Sequence, residues 1–575
     1  MANLLRTALL PAALLALSAC ATAPASVGPG STAAAGAAKP SAGTSLYGLY
    51  LAGQAALDAG DSQAAADYFA LARTENPDAV FLKERIFTAA LMAGDVPRAA
   101  AVAPAAGEGS AASQSLGVLT QAVESLANGR GAEAYARLSS PSIPAGSGAT
   151  ALLKPWAAAM AGKTDESLAM PDSSDRLLKM IASLDQALLF ERARRYPEAE
   201  TTYKALLSGK VGVGLIGPAY GAFLERRGRQ ADAIATYDQI LAGDPDDAAT
   251  MAAKTRAVAK GRPPAQPTLR EGAAQALMAP ASAVLADRQP EMGLIYLRLV
   301  LRLDPNRDEA WLLAGDVMSS AGDVRSARAA FEHVGPKSPR YGDARSRLAL
   351  SYQADDKAQA LKIAREAAAA RPDDDGVRLT LADLLRANDQ FAESASVLDP
   401  MIAAGGAKAD WRLYYMRAIA RERSGRWQDA EVDLSKALAL KPDQPEVLNY
   451  LGYSWVNRGV KVKDGMAMIQ RAVDAQPEEG AYVDSLGWAY YRLGQYGTAV
   501  DTLERAVSLM AGDPEINDHL GDAYWKAGRR TEAQFQWRAV LTLKPDEDIR
   551  VRAEAKLASP LGPDVVTAAP AVAAQ

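Results

Sequence analysis

Residues 480–547 read GAYVDSLGWAYYRLGQYGTAVDTLERAVSLMAGDPEINDHLGDAYWKAGRRTEAQFQWRAVLTLKPDE and contain one pattern twice. The first copy is Leu486-Gly487, Tyr490, Gly494, Ala499, Leu503 and Ala506. The second follows in the same register as Leu520-Gly521, Tyr524, Gly528, Ala533, Trp537, Val540 and Pro545. Counted from the leading leucine, the small residue beside it and the aromatic four on share one face of a first helix, where a glycine lets a neighbouring helix come close. The glycine eight positions on ends that helix. Ala499 or Ala533 then opens a second helix at the crossing point, and the bulky residue four further on fills the remaining gap. Pro545 stops the second helix, because it lacks an N–H and disfavours helical geometry in the residue before it. The outcome is a helical hairpin.

One hairpin cannot bury both its faces, so neighbours must stack and share a core, which makes the chain a solenoid. The period, about 34 residues, and the residue pattern resemble the tetratricopeptide repeat (TPR). That resemblance implies an all-α superhelix of hairpins with a curved binding surface and no requirement for a catalytic centre.

Composition fits such a chain. A single compact core would not serve 575 residues, whereas a solenoid grows in one dimension. With 63 basic and 68 acidic residues, no global field points to nucleic acid. Cys20 is the only cysteine, so structural disulfides and Cys-based zinc sites are excluded. The two histidines, His333 and His519, both fall in repeat helices and read as structural or solvated, not as catalytic or metal-binding groups. No catalytic residue, metal site, cofactor or small-molecule substrate is expected.

The amino terminus, MANLLRTALLPAALLALSAC, carries Arg6 and then an apolar run from Ala8 to Leu17, too short for a membrane span. Residues 1–19 read as a secretory signal. Its end, Leu17-Ser18-Ala19-Cys20, resembles the lipobox of bacterial lipoproteins, which implies cleavage before Cys20 and lipidation there. Ala21 is not the aspartate that the enterobacterial sorting rule associates with retention at the inner membrane, so the resemblance points to the outer membrane. Residues 20–45 read as the lipidated cysteine plus a flexible linker of Ala, Gly, Pro, Ser and Thr. As a random coil the stretch after Cys20 would span on the order of 25–30 Å.

Residues 46–256 form a degenerate N-terminal array. Leu46 to Ala79 matches well through Gly53, Gly60, Ala65, Phe69, Ala72 and Pro77, and residues 80 to 175 match poorly around a Pro/Gly/Ser-rich loop at 139–148. Register returns with Ala199 and Tyr203, then with Gly221, Gly228, Ala233 and Tyr237. Gly212 to Gly217 satisfies G-x-G-x-x-G, but a helix stands where a dinucleotide loop needs a strand, so it reads as an inter-repeat turn. The proline-rich stretch at 257–267 divides this array from a C-terminal one over 268–547, and 558–575 reads as a disordered tail. The total is about fourteen hairpins.

On each first helix, the residues two before and two, five and six after the leading leucine form a stripe facing away from the shared core. In the last three hairpins this stripe is Asn449, Tyr453, Val456, Asn457; Asp484, Trp488, Tyr491, Arg492; and Asp518, Asp522, Trp525, Lys526. Aromatics beside amides and charges compose a protein-binding surface, expected to line an open inner groove. The Lys, Asn and Arg set of a peptide-carboxylate clamp is missing from it.

The run LNYLGYSWVNRGVKVKDGMAMIQRAVDAQPEEGAYVDSLGWAYYRLGQYGTAVDTLERAV, followed by PEINDHLGDAYWKAGRRTEAQFQWRAVL, resembles the C-terminal repeats of a proteobacterial TPR lipoprotein family. The resemblance covers about residues 410 to 547 and implies an outer-membrane adaptor for a periplasmic carboxy-terminal processing protease and its cell-wall hydrolase substrates. An alternative in the same compartment is a TPR component of an exopolysaccharide export or outer-membrane assembly complex.

Overall fold

The computed structural model describes residues 45–76, 79–105, 107–140, 148–171, 175–208, 213–245, 247–406 and 410–559. The signal at 1–19, Cys20, the linker through residue 44, Pro77, Gly212, most of the loop at 139–148 and the tail from 560 lie outside the described residues. Among the described residues the regular elements are thirty helices and no strand. The all-α hairpin fold read from the sequence therefore stands. The chain forms two compact units, divided between Asp356 and Lys357.

The repeat glycines are close-approach points, as their spacing demands. A Cβ added at Gly53 would lie 2.6 Å from the Phe69 ring, at Gly221 2.3 Å from Tyr237, at Gly315 2.3 Å from Phe331, at Gly487 2.6 Å from Leu503 and at Gly521 2.5 Å from Trp537. In each case the bulky partner stands at the matching position of the second helix, at one constant separation along the sequence. Alanine at the crossing is equally buried: Ala65, Ala233, Ala327, Ala499 and Ala533 have no exposed surface.

In the first unit the helices are α1 (Leu46–Asp58), α2 (Ser62–Glu75), α3 (Val80–Ala93), α4 (Val96–Ala101), α5 (Ala111–Ala127), α6 (Gly131–Leu138), α7 (Gly148–Met160), α8 (Thr164–Leu168), α9 (Arg176–Arg192) and α10 (Tyr196–Ser208). They continue with α11 (Val213–Arg226), α12 (Gln230–Gly243), α13 (Ala248–Val258), α14 (Leu269–Ala286), α15 (Pro290–Leu303), α16 (Asp308–Ser320), α17 (Val324–Glu332) and α18 (Tyr341–Ser351). Side-chain N-caps start many of them: Ser45, Asp61, Asp95, Ser110 and Asp175 each accept a backbone N–H of the first turn. Thr268 and Glu271 close a capping box on α14.

Stacking in this unit is not confined to sequence neighbours. α14 packs on α7 and α9, and α15 packs on α3, α4 and α5. Trp156 of α7 lies where a Cβ on Gly272 would be, 2.1 Å away. Arg298 donates to the Met92 carbonyl at 3.1 Å, and Arg302 grips Glu124 through two bonds of 2.7 and 2.9 Å. The cause is α15 itself, which buries Leu294, Ile295, Leu297, Leu299, Val300, Leu301 and Leu303. A helix apolar over that much of its circumference needs partners on more than one side.

The stretch at 257–267 is not the boundary between units, contrary to the expectation from its prolines. Gln266 donates to the Leu188 carbonyl, Arg192 to that of Pro267 and Arg226 to that of Pro264, so the segment is tied to α9 and α11. Gly217 sits inside α11 against Ile240, and among the described residues the element before the glycine-rich motif is the helix α10, not a strand.

The second unit runs α19 (Lys357–Ala370), α20 (Asp375–Arg386), α21 (Phe391–Gly405), α22 (Trp411–Arg423), α23 (Trp427–Leu440), α24 (Pro445–Asn457), α25 (Val462–Ala475), α26 (Gly480–Arg492), α27 (Tyr496–Leu509), α28 (Pro514–Lys526), α29 (Arg530–Thr542) and α30 (Glu547–Ala558). The extra residue in the turn before α25 is absorbed by Lys461, whose φ of 47° is left-handed. Its ammonium pairs with Glu431 at 2.7 Å and lies 4.3 Å from the Trp455 ring centre. α30 was not foreseen. The C-terminal array was expected to end at 547, yet Ile549 and Ala553 bury against Val540, and α30 also packs on α28.

Candidate protein-binding wall

The expected inner stripe comes from α24, α26 and α28, and the structure brings its members together while dividing them into two kinds. Asp484, Asp518 and Asp522 are buried, 6%, 2% and 6% exposed, and do not line an open groove. Asn449, Tyr453, Asn457, Trp488, Tyr491, Arg492, Trp525 and Lys526 are half-buried, whereas Val456 is fully covered.

Each buried acid is met by a cation from the next first helix in the stack. His519 Nδ1 lies 3.0 Å from both oxygens of Asp484. Lys556 Nζ donates to both oxygens of Asp518 at 2.8 Å and reaches Asp522 at 2.7 Å. Arg552 approaches Glu515 and Asp518 at 3.8 and 3.9 Å. Trp537 Nε1 donates to Asp522 at 3.1 Å. Isolated buried carboxylates would cost several kcal/mol each, about what an unpaired ion loses on leaving water, so they persist only with these partners.

Titration follows the same pairing. Burial pulls the His519 imidazole down, but Asp484, by charge and hydrogen bond, with help from Glu515 and Asp518, lifts it to about 9. His519 is therefore a cation at neutral pH. Burial raises the Asp522 carboxyl against the opposing pull of Lys556, and it raises Glu515 despite His519. For Lys556 burial is the largest influence and lowers it, yet Asp522 and Asp518 together hold it above its ordinary value.

His519 also organises the aromatics. Trp488 stacks on it at 4.1 Å and 17°, and Tyr491 stacks on Trp488 at 4.6 Å and 10°, giving a three-ring column. A cationic imidazole under an indole face gains from the ring quadrupole. Tyr453 packs into the same cluster as Trp488. Arg492 ties α26 to α24 by donating to the Asn457 carbonyl at 2.7 Å. Trp488 Nε1 and Asn449 Oδ1 have no hydrogen-bond partner among the described residues. Trp525 instead packs, as Leu557 of α30 does, against the cluster that holds Leu520 and Trp537, and it meets the Trp537 ring at 5.6 Å, so it belongs to the junction with the terminal helix.

Two residue groups were missed from the sequence. His519 was read as structural or solvated without its role under Trp488. Arg552 and Lys556 lay beyond the last proline, although they occupy the repeat positions of Asp518 and Asp522 at the same repeat offset. Extending the period one helix past Pro545 would have found them. The second histidine, His333, stands just past α17 and stacks on Trp311 at 3.9 Å.

No helix among the described residues is long and apolar enough to cross a membrane. Family models described as tetratricopeptide repeat match residues 379–445 and 484–510. A TPR repeat-containing protein of Pseudomonas aeruginosa is 32% identical over 113 residues, 20% of this chain and 19% of that one. The cellulose synthase 1 operon protein C of Komagataeibacter xylinus is 31% identical over 131 residues, 21% of this chain and 10% of that one. The chain thus aligns with a fifth or less of the length of either relative. Among solved structures, the APC/C hetero-tetramer Cut9-Hcn1 aligns over 89% of this chain and 96% of its own, at 14% identity and a TM-score of 0.38.

Proposed function

For a chain that carries tetratricopeptide repeats, we propose the role of a non-catalytic scaffold that binds proteins along the inner wall of its C-terminal hairpins. The observation that carries this reading is the wall formed by Asn449, Tyr453, Asn457, Trp488, Tyr491 and Arg492, held in place by a neutralised acid layer beneath it. Aromatic rings fixed in a column lose little entropy on binding, which suits them to anchor a partner segment.

In this reading the lipobox-like sequence at Leu17 to Cys20 anchors the protein to the outer membrane, facing the periplasm. The resemblance over residues 410–547 favours a carboxy-terminal processing protease and its cell-wall hydrolase substrates as partners. A component of an exopolysaccharide export or outer-membrane assembly complex is the second reading, favoured by the stretch shared with the cellulose synthase operon protein.

The test is affinity purification from membranes after crosslinking, with the parent chain and with Tyr453→Ala/Tyr491→Ala. A protease or peptidoglycan enzyme recovered with the parent and reduced about tenfold or more with the variant supports the first reading. Polysaccharide-export proteins in its place support the second. Equal recovery with the variant, at unchanged helical circular dichroism, would remove the wall from the account.

A further inference from the structure

The first hairpin leaves an apolar face uncovered. α1 carries no charged residue before Asp58, and it turns Leu49 and Gly53 inward. Away from those two, Tyr47 and Leu51, one turn apart, are 69% and 47% exposed. Tyr50 lies on the same stripe and meets Phe81 of α3 edge-on at 6.1 Å, and Phe81 is itself 53% exposed. One turn beyond Phe81, Arg85 is exposed, and its guanidinium makes no ion pair among the described residues. Glu84 beside it is engaged by Ser113, and Lys83 is paired with Glu108.

Exposed tyrosine and phenylalanine next to an unneutralised arginine is the composition of a surface that lies in a lipid–water interface. The rings enter the headgroup layer, and the guanidinium meets anionic headgroups. The position of the patch favours that occupant. Ser45, the first described residue, caps α1, and only the segment Ala21–Ser45 separates the face from Cys20. For a segment of that length the random-coil expectation is an r.m.s. span on the order of 25–30 Å, so with Cys20 anchored even weak affinity for the bilayer would be effective.

We infer that the face formed by Tyr47, Leu51, Phe81 and Arg85 rests on an anionic lipid surface and so fixes the orientation of the N-terminal end of the chain at the membrane. This rests on the reading of Cys20 as a lipid anchor, and it is tested without the anchor. Residues 20–575 contain every described residue, and Cys20→Ser in that chain removes the acylation site together with its only cysteine.

Flotation with phosphatidylethanolamine–phosphatidylglycerol vesicles should carry this protein upward, and Tyr47→Ser/Leu51→Ser/Phe81→Ser should lower its partitioning at least tenfold. Arg85→Ala should weaken it less, and phosphatidylcholine vesicles should bind more weakly than anionic ones. Tyr47→Cys in the same background gives a single site for an environment-sensitive dye, whose emission should shift to the blue on adding vesicles; this readout needs no multiply substituted protein. Absence of flotation, equal flotation of the triple variant, or an unshifted dye would overturn the inference. So would a concentration-dependent dimer abolished by the triple variant, which would give the face to a second copy. Whether Cys20 is acylated in cells is a separate measurement, so failure of one reading does not imply failure of the other.

Discussion

Replacing Lys556 with methionine should destabilise the second unit markedly. The ammonium is the shared cation of Asp518 and Asp522, at 2.7 to 2.8 Å, and of the three side chains the lysine is the most exposed, at only 13%. Methionine retains much of the stem's packing and removes the charge. Two buried carboxylates would then face each other, with only Trp537 Nε1 on Asp522 and Arg552 at 3.9 Å from Asp518. Breaking a buried pair in this way costs about 3–5 kcal/mol, and the surviving partners place the expected loss near the lower end, at about 3 kcal/mol. With a urea dependence of about 1–3 kcal/mol per molar, the midpoint should fall by about 1 M or more. Tryptophan fluorescence is the suitable probe, because Trp411, Trp427, Trp455, Trp488, Trp525 and Trp537, six of the eight tryptophans, belong to this unit.

The sign of the pH dependence follows from the same groups. Burial already raises Asp522 in the parent, and losing Lys556, which pulls it down, raises it further. An acid whose folded pKa lies above its unfolded value of about 3.9 loses stability as pH rises between the two. The deficit of Lys556→Met should therefore be larger at pH 8 than at pH 5. Adding Asp518→Asn and Asp522→Asn should recover most of it. A midpoint unchanged by Lys556→Met, or a deficit equal at the two pH values, would refute the claim that this cation holds the terminal helix.

Three further outcomes are expected. His519, raised from 6.5 to about 9, contributes stability that is fully present below about pH 6.5 and is lost as pH rises through about 9; His519→Gln should remove on the order of 3 kcal/mol at pH 6 and much less at pH 10, measured by urea unfolding. Asp185, 2% exposed and raised well above its ordinary value by burial, has no ionic partner among the described residues, so Asp185→Asn should raise the melting temperature of the first unit, and by more at pH 8 than at pH 4. Gly315→Ala, which would place a methyl 2.3 Å from the Phe331 ring, should cost about 1–3 kcal/mol in a denaturant titration, whereas the same change at exposed Gly497, where nothing lies within 4 Å, should not.

What the sequence disclosed, and what it did not, separates by the range of the interaction. The glycine at the helix crossing and its bulky partner on the second helix of the same hairpin are a local steric requirement, so Gly53, Gly221, Gly315, Gly487 and Gly521 could be read directly. The inner stripe was also legible as a face of three helices. Its acids were misjudged because burial depends on the next helix, and α30 carries no glycine or aromatic of the repeat pattern to announce it, only Arg552 and Lys556. The return of α14 and α15 onto α3, α5 and α7 left no local period at all. It depends on pairs such as Arg302 with Glu124, 178 residues apart, and the one available hint was the excess of leucine around α15. The prolines at 257–267 misled for a related reason: a stretch that is not helical beyond Val258 can still be strapped to its neighbours, by arginines donating to its carbonyls and by the Gln266 side chain donating outward.

Site-specific photocrosslinking compares the two sides of the C-terminal hairpins directly. A photoreactive residue at Asn457 or Tyr491 on the inner wall, or in place of Phe535, 70% exposed on α29, is introduced into the full chain in cells. Adducts with a partner protein from Asn457 and Tyr491 and none from Phe535 are predicted; adducts from Phe535 alone would contradict the account.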